Sequence, residues 1–341
     1  MGIGATDFIK IDEVRKEIDS AYPNPGRDVD GLEVEHSGYS HRLIGNAFEF
    51  VCRLWLTRQS EVTREPFRWD GLVTYEDGEP PRIYSGTERR IFDKGEEPEE
   101  SLLESERVQK VRKHRNRTIV SITPKSLYRA KKHAEQFVKT GMNADEVVNA
   151  ALLYSGWDQE KEENSSIDLE SFNDDLVTEL QGLFNQLRSQ EWTTGELTYL
   201  NPNFGQHWNI LEGEADFIID DLLVDVKTTE DETFTPAFWR QLLTYYILND
   251  VQRVLYEETD RTDQEYPKVN RVGIYFARYG ELQTVDMDDI INDRDEYERF
   301  RAWFVDRAIE ENHHAQYDYS GIRASLTDPY DFERQKTLFD Y

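Results

Sequence analysis

Apolar residues recur at helical spacing over much of the first half of the chain and at strand spacing over a shorter stretch of the second. Between Asp7 and Tyr22, residues Phe8, Ile9, Ile11, Val14 and Ile18 lie near a 3.6-residue period and predict one amphipathic helix. Tyr39–Thr57 predicts a second, with Ser40 as its N-cap and Leu43, Ala47, Val51 and Leu54 as one stripe. Pro23–Gly31 and Arg58–Pro98 read as loops. Glu99–Glu163 reads as helical, broken at Thr123-Pro124 and Thr140-Gly141, and Ser166–Glu191 as one more helix.

The period then changes. Glu196–Leu200, Trp208–Leu211, Ala215–Ile219 and Leu222–Lys227 are short β-type runs separated by turn residues. Helix returns over Pro236–Leu248. Val269–Tyr279 and Leu282–Val285 predict a hairpin across Gly280, Asp286–Asn312 a last long helix, and the remainder an irregular tail. The expected fold class is α/β (α+β): a small mixed sheet flanked by helices, with a helical N-terminal elaboration. The expected division is a helical region over 1–190, a core over 191–315 and a tail over 316–341. No repeat of 20–50 residues is visible.

Two of the strands carry charge where a sheet expects apolar residues. In Gly213-Glu-Ala-Asp-Phe-Ile-Ile-Asp-Asp-Leu-Leu-Val-Asp-Val-Lys-Thr-Thr229, a period of two puts Leu223, Asp225 and Lys227 on one face. Pairing across the Asp220-Asp221 turn would bring Asp216 opposite Asp225; Glu214 is the alternative. Unpaired charges at a hydrophobic sheet cost several kcal/mol each, on the order of the penalty for any buried ion, so these groups need partners. Oxygen ligands select hard Mg²⁺ or Mn²⁺, and a nearby lysine suits phosphodiester hydrolysis by orienting or helping to deprotonate water and by stabilising charge.

This segment resembles the RecB-type branch of the PD-(D/E)XK nucleases, on Gly213–Asp216, Asp225-Val226-Lys227 and Gln241-Leu-Leu-Thr-Tyr245. The resemblance implies a restriction-endonuclease-like core that hydrolyses DNA, acting on ends or single strands. It implies Asp216, Asp225 and the Val226 carbonyl as metal ligands, Lys227 as catalytic, and Gln241 and Tyr245 as support for the site and strand. An upstream acid is also implied: Glu49, in Gly45-Asn-Ala-Phe-Glu49, with His41 second. Cys52 is the only cysteine, so the four-cysteine iron–sulfur subtype and an intrachain disulfide are excluded. The alternative function is a catalytically silent nuclease-fold module that binds DNA or protein.

Charge changes this picture less than its size suggests. Asp and Glu total 69 against 40 Lys and Arg, a net charge of −29. The acid is dispersed, and arginine outnumbers lysine about two to one, which resembles proteins of a salt-loving archaeon or its mobile element. In molar salt the Debye length is only ~3 Å, so the acidity is compatible with a nucleic-acid partner. Two basic runs stand against it as possible DNA contacts: Arg107, Lys110, Arg112, Lys113, Arg115 and Arg117, then Arg129, Lys131 and Lys132. With no signal peptide, no apolar run of membrane length and no Gly-x-x-x-x-Gly-Lys-Ser/Thr motor motif, a cytoplasmic protein without a membrane partner is expected.

Overall fold

The computed structural model describes residues 3–59, 88–92, 107–114, 117–141, 144–163, 172, 174–204, 210–258, 267–311 and 319–327; its side-chain description omits 88–92, 107–129, 131, 144, 157–163, 256–258, 324 and 327. Two helices, α1 (Ala5–Phe8) and α2 (Asp12–Ala21), stand where one is expected, because Ile11 is extended between them (φ −62°, ψ 126°). Asp12 and Glu13 open the second helix, where acids complement the N-terminal dipole. The third helix, α3 (His41–Gln59), starts beside Ser40, whose Oγ accepts the Leu43 N–H at 3.3 Å as the expected cap.

The next segment departs from expectation. Strands β1 (Glu88–Phe92), β2 (Arg107–His114) and β3 (Arg117–Pro124) form an antiparallel sheet in the order β1-β3-β2. Loop is expected at the first and helix at the other two. The run Thr118-Ile119-Val120-Ser121-Ile122-Thr123 explains the correction: its β-branched side chains favour a pleated strand over a helical turn. Helix begins only at α4 (Lys125–Thr140), then α5 (Ala144–Glu163) after Gly141, whose φ of 70° ends the preceding helix. The sixth helix, α6 (Asp174–Arg188), is shorter than the expected Ser166–Glu191, of which 166–171 and 173 lie outside the described residues.

Beyond a short 3-10 turn at Glu191–Thr193, seven strands and four α-helices complete the described chain. They are β4 (Thr198–Leu200), β5 (Asn203–Phe204), β6 (Gly213–Glu214), β7 (Phe217–Ile219), β8 (Leu222–Lys227), α7 (Pro236–Glu258), β9 (Arg271–Phe276), β10 (Glu281–Asp286), α8 (Met287–Ile290), α9 (Arg294–Glu311) and α10 (Ser320–Thr327). No strand forms at Ile210–Leu211, and 205–209 lies outside the described residues. The expected last helix is two, because Asp286 and Asp293 each cap one: Asp286 accepts from Asp288 N at 2.9 Å and Asp293 from Asp295 N at 2.9 Å. The expected irregular tail contains α10.

The fold is mixed α+β. Its main sheet runs β10-β9-β8-β7-β4, antiparallel throughout except for the parallel β8–β9 pair. That pair needs a crossover, and α7 supplies it. Gly280 closes the β9–β10 hairpin at φ 61°. Strand alternation divides the sheet's side chains between two cores. Phe217, Ile219, Leu222, Val224 and Val226 pack with α3, α4, α5 and α6. Ile218, Leu223, Val272, Ile274 and Phe276 pack with α1, α2, α7, α9 and α10. Each fully buried apolar side chain of this kind stabilises by about 1.5–3 kcal/mol. The central helix α7 is apolar on most sides because it lies inside: Trp239, Leu242, Leu243 and Ile247 are fully buried.

One buried ion pair ties these layers together. Arg278, fully buried just beyond β9, pairs with Glu179 of α6. Arg278 also donates from Nε to the Thr228 carbonyl at 2.6 Å and from a terminal nitrogen to the Val34 carbonyl at 3.1 Å. Glu179 accepts the Ser37 N–H at 3.0 Å and the Ser37 hydroxyl. Burial would raise the Glu179 carboxyl, but the Ser37 and Arg278 donors outweigh it and hold the group below the usual carboxylate range. The end of β8 is thereby fixed. No helix among the described residues is long and apolar enough to cross a membrane.

Candidate functional site

The antiparallel register Phe217↔Val224, Ile218↔Leu223 continues outward to place Asp216 beside Asp225. Both residues fall on the sheet face that α7 covers, since Asp216 alternates with Phe217 and Asp225 with Val224 and Val226. Asp225 is 5% exposed. Lys227, two residues along the same strand, sets its Nζ 2.6 Å from Asp225 Oδ2. That oxygen is buried and receives no hydrogen bond of good geometry, so the contact is one of charge. Asp216 Oδ2 accepts the Val226 N–H at 2.5 Å, which locks the carboxylate across the strand pair.

Helix α7 closes this cluster from above the sheet. Gln241 donates from Nε2 to Asp225 Oδ1 at 3.1 Å and to Tyr245 Oη at 2.8 Å, and its Oε1 accepts from Lys227 Nζ at 3.2 Å. Gln241 and Tyr245, four residues apart, therefore act on one helix face as the spacing requires. The amide orients both charged groups of β8 at once. The Phe238 ring adds a cation–π contact, with Lys227 Nζ 5.2 Å from its centroid.

The third acid arrives from α3, which packs on the opposite face and reaches the end of the sheet. A Cβ at Gly45 would stand 3.4 Å from Thr228 Oγ1, which places this helix within ordinary contact of the end of β8. Glu49, one turn on, is half-buried and accepts from Arg53 at 3.1 Å. The same guanidinium donates to Asn201 Oδ1 at 3.0 Å. Asn201 in turn bonds Glu214 through its side-chain amide, and its backbone N–H reaches the Asp216 carbonyl at 2.8 Å. Asn201 holds φ 53°, a left-handed geometry that asparagine tolerates better than most residues. Arg53 and Asn201 thus join Glu49, Glu214 and Asp216 into one network. Asn201 has only the turn-forming Asn-Pro-Asn as its sequence signal.

The electrostatics follow from crowding. Burial, together with Glu49 and Asp225, pushes the Asp216 carboxyl well above the usual range. Burial likewise raises Glu49, against the pull of Arg53. Burial alone would depress Lys227, but Asp225, with Asp216 and Glu49 beyond it, holds the ammonium charged and its pKa raised. Tyr245 is raised by burial and by Asp225, and stays a neutral phenol. Cys52 is raised by burial and by Asp216 and Glu49, and is packed in the core. Acids outnumber cations in this partly buried cluster, and perturbed carboxyls of this kind occur at functional sites as well as in structural ion-pair networks.

An all-oxygen donor set, with two carboxyls raised by burial and by neighbouring acids, fits a hard divalent cation. Among the described residues, however, no three His, Cys, Asp or Glu side chains stand together as a ready coordination shell. Asp225 is engaged by Lys227 and Gln241, and Asp216 by Val226 N.

The remaining residues lie elsewhere. His41 stacks on His36 with centroids 3.8 Å apart at the start of α3. Arg107, Lys110, Arg112 and Lys113 are on β2, Arg117 is on β3, and Arg129, Lys131 and Lys132 are on α4; Arg115 lies outside the described residues. Lys132 is exposed and pairs with Glu135 at 3.1 Å. Trp239 is core, donating its indole N–H to the Tyr22 carbonyl at 2.7 Å. No protein-family model matches this chain, and neither does any curated protein or solved structure.

Proposed function

We propose that this chain is a divalent-cation-dependent nuclease that hydrolyses phosphodiester bonds of DNA, acting on ends or single strands. The observation that carries this reading is the meeting of Asp225, Lys227, Gln241 and Tyr245 in a single hydrogen-bonded and ion-paired group on one face of the sheet, with Asp216 beside Asp225 in the strand register. Asp216, Asp225, Glu49 and the Val226 carbonyl would hold Mg²⁺ or Mn²⁺. Such a cation supplies Lewis acidity and a bound water of lowered pKa. Lys227, kept charged by its neighbours, serves as a fixed cation against the negative charge that develops on the phosphoryl oxygens, rather than as a base. Gln241 holds Lys227 and Asp225 in register, and the neutral Tyr245 hydroxyl orients the strand.

The alternative is a catalytically silent module on the same architecture. The engagement of Asp225 by Lys227, without a ready coordination shell among the described residues, is the observation that favours it. Linear single- and double-stranded DNA, incubated with Mn²⁺ or Mg²⁺ in dilute buffer and in molar KCl, separates the two. Cleavage by the wild type and its loss in Lys227→Ala supports the nuclease. A folded wild type that binds Mn²⁺ and cuts neither DNA nor RNA supports the module.

A further inference from the structure

The far half of α7 lines a second polar cavity, of about 380 Å³, whose walls include Tyr246, Asn249, Asp250, Arg253, Lys268 and Arg294. Its charge is opposite in sense to that of the chain. Asp250 Oδ2 accepts from Arg301 at 2.6 Å and from the Tyr297 hydroxyl at 3.1 Å, with Arg294 3.6 Å away. Arg253 stands 3.9 Å from the other oxygen. Several cations thus gather around one carboxylate, with Glu298 meeting Arg294 from outside at 3.4 Å. Lys268, on the same wall, is exposed and makes no ion pair among the described residues.

A second observation points to a ligand. Asn249 is 2% exposed, and its amide donates to the Pro267 carbonyl at 3.1 Å. Its Oδ1 is buried without a hydrogen-bond donor. An unsatisfied buried acceptor is destabilising, a penalty that a bound donor would remove. The volume lies within the range of about 300–1,000 Å³ typical of organic ligands and exceeds the needs of a bare ion.

We propose that this cavity binds a nucleoside monophosphate, its phosphate facing Arg253, Lys268 and Arg294 and a base or sugar donor reaching Asn249 Oδ1. A phosphate dianion suits the wall better than a carboxylate, because it offers three oxygens to cations arriving from separate elements. The site stands apart from the carboxylate cluster and does not depend on its chemistry.

Calorimetric titration of the full chain with deoxynucleoside monophosphates, in chelator and in an Asp225→Asn background, tests the proposal. Binding in the millimolar range or tighter is expected. Removing the phosphate, in the matching deoxynucleoside, or reversing a wall charge, in Lys268→Glu, should each weaken binding about ten-fold or more. Lys268 is exposed, so that variant should keep its fold, and circular dichroism checks it. Absence of heat with every monophosphate, or binding indifferent to Lys268→Glu, overturns the proposal. So does equal binding of inorganic phosphate, which would leave the organic part without a role, and binding confined to a 5′-phosphorylated oligonucleotide, which would make the wall a nucleic-acid contact.

Discussion

Two groups of charge lie near the end of β8, and they are balanced in opposite ways. Glu179 meets Arg278 and two donors of Ser37, and its carboxyl is held below the usual range despite burial. Asp216 and Glu49 share their surroundings with Asp225 and Glu214, and both are held above it. The first group is matched, with each charge answered by a fixed partner, and it serves the architecture. The second is mismatched and persists only because the surrounding layers are stable enough to carry it. Natural proteins concentrate such local costs where function requires them.

The largest effect expected from breaking this contrast is on the matched side. Arg278→Ala strands Glu179 in the core without its cation, and loss of one partner of a buried pair typically costs about 3–5 kcal/mol. Thermal or urea unfolding should register that as a large loss of stability. Lys227→Ala should behave differently. If the proposed chemistry holds, cleavage falls by about 10²–10³, the usual cost of one transition-state electrostatic contact, and the melting temperature falls less than in Arg278→Ala, because Lys227 is 21% exposed where Arg278 is fully buried. A Lys227→Ala protein that cuts at the wild-type rate would place catalysis elsewhere.

How much of this could be read beforehand depended on the range of the determining interactions. The β8 strand, the α7 crossover and the β9–β10 hairpin were legible because alternation, Gly280 and helical periodicity are local signals. Ser40 was legible as a cap for the same reason. The β2–β3 hairpin was not, because its many charges resemble a solvated helix face and outweighed the β-branched run of β3. The cap residues Asp286 and Asp293 stand within one long helical periodicity, which hides the break between α8 and α9. In the candidate site, Asp216, Asp225, Lys227, Gln241 and Tyr245 are fixed by register and helix spacing. The Arg53–Asn201–Glu214 connection depends on how α3 approaches the sheet end, which no local pattern encodes.

A pH series sharpens the comparison further, with smaller effects. Glu179 is lowered in the folded state, so its contribution is present above the unfolded carboxylate pKa and fades as pH falls through the folded value. Asp216 and Glu49 are raised, so the folded state binds protons that the unfolded chain has released. Their effect is a loss of stability as pH rises from the unfolded carboxylate value through the folded one. In chelator, Asp216→Asn should remove part of the loss on the alkaline side, and Glu179→Gln should flatten the loss on the acid side. Unfolding midpoints across pH for the two variants would show whether the opposite slopes exist. The smallest effect belongs to Gly45→Ala. Helix propensity favours alanine by up to ~1 kcal/mol, and the added Cβ would meet Thr228 Oγ1 at 3.4 Å, an ordinary contact. Stability should rise slightly, and a marked fall in urea midpoint would mean that α3 packs tighter on β8 than this distance implies.

Helix α7 carries Gln241 and Tyr245 at one group of charges and Asn249, Asp250 and Arg253 at another. At ~1.5 Å per residue, Gln241 and Asn249 stand only about 12 Å apart along its axis, on a rod enclosed by packing. They are two marks on a ruler, whose separation and relative angle are set by the peptide backbone rather than by a hinge. Inserting a single residue between Tyr245 and Asn249 would turn one mark by about 100° against the other, so this short span should accept substitution far more readily than any change in length.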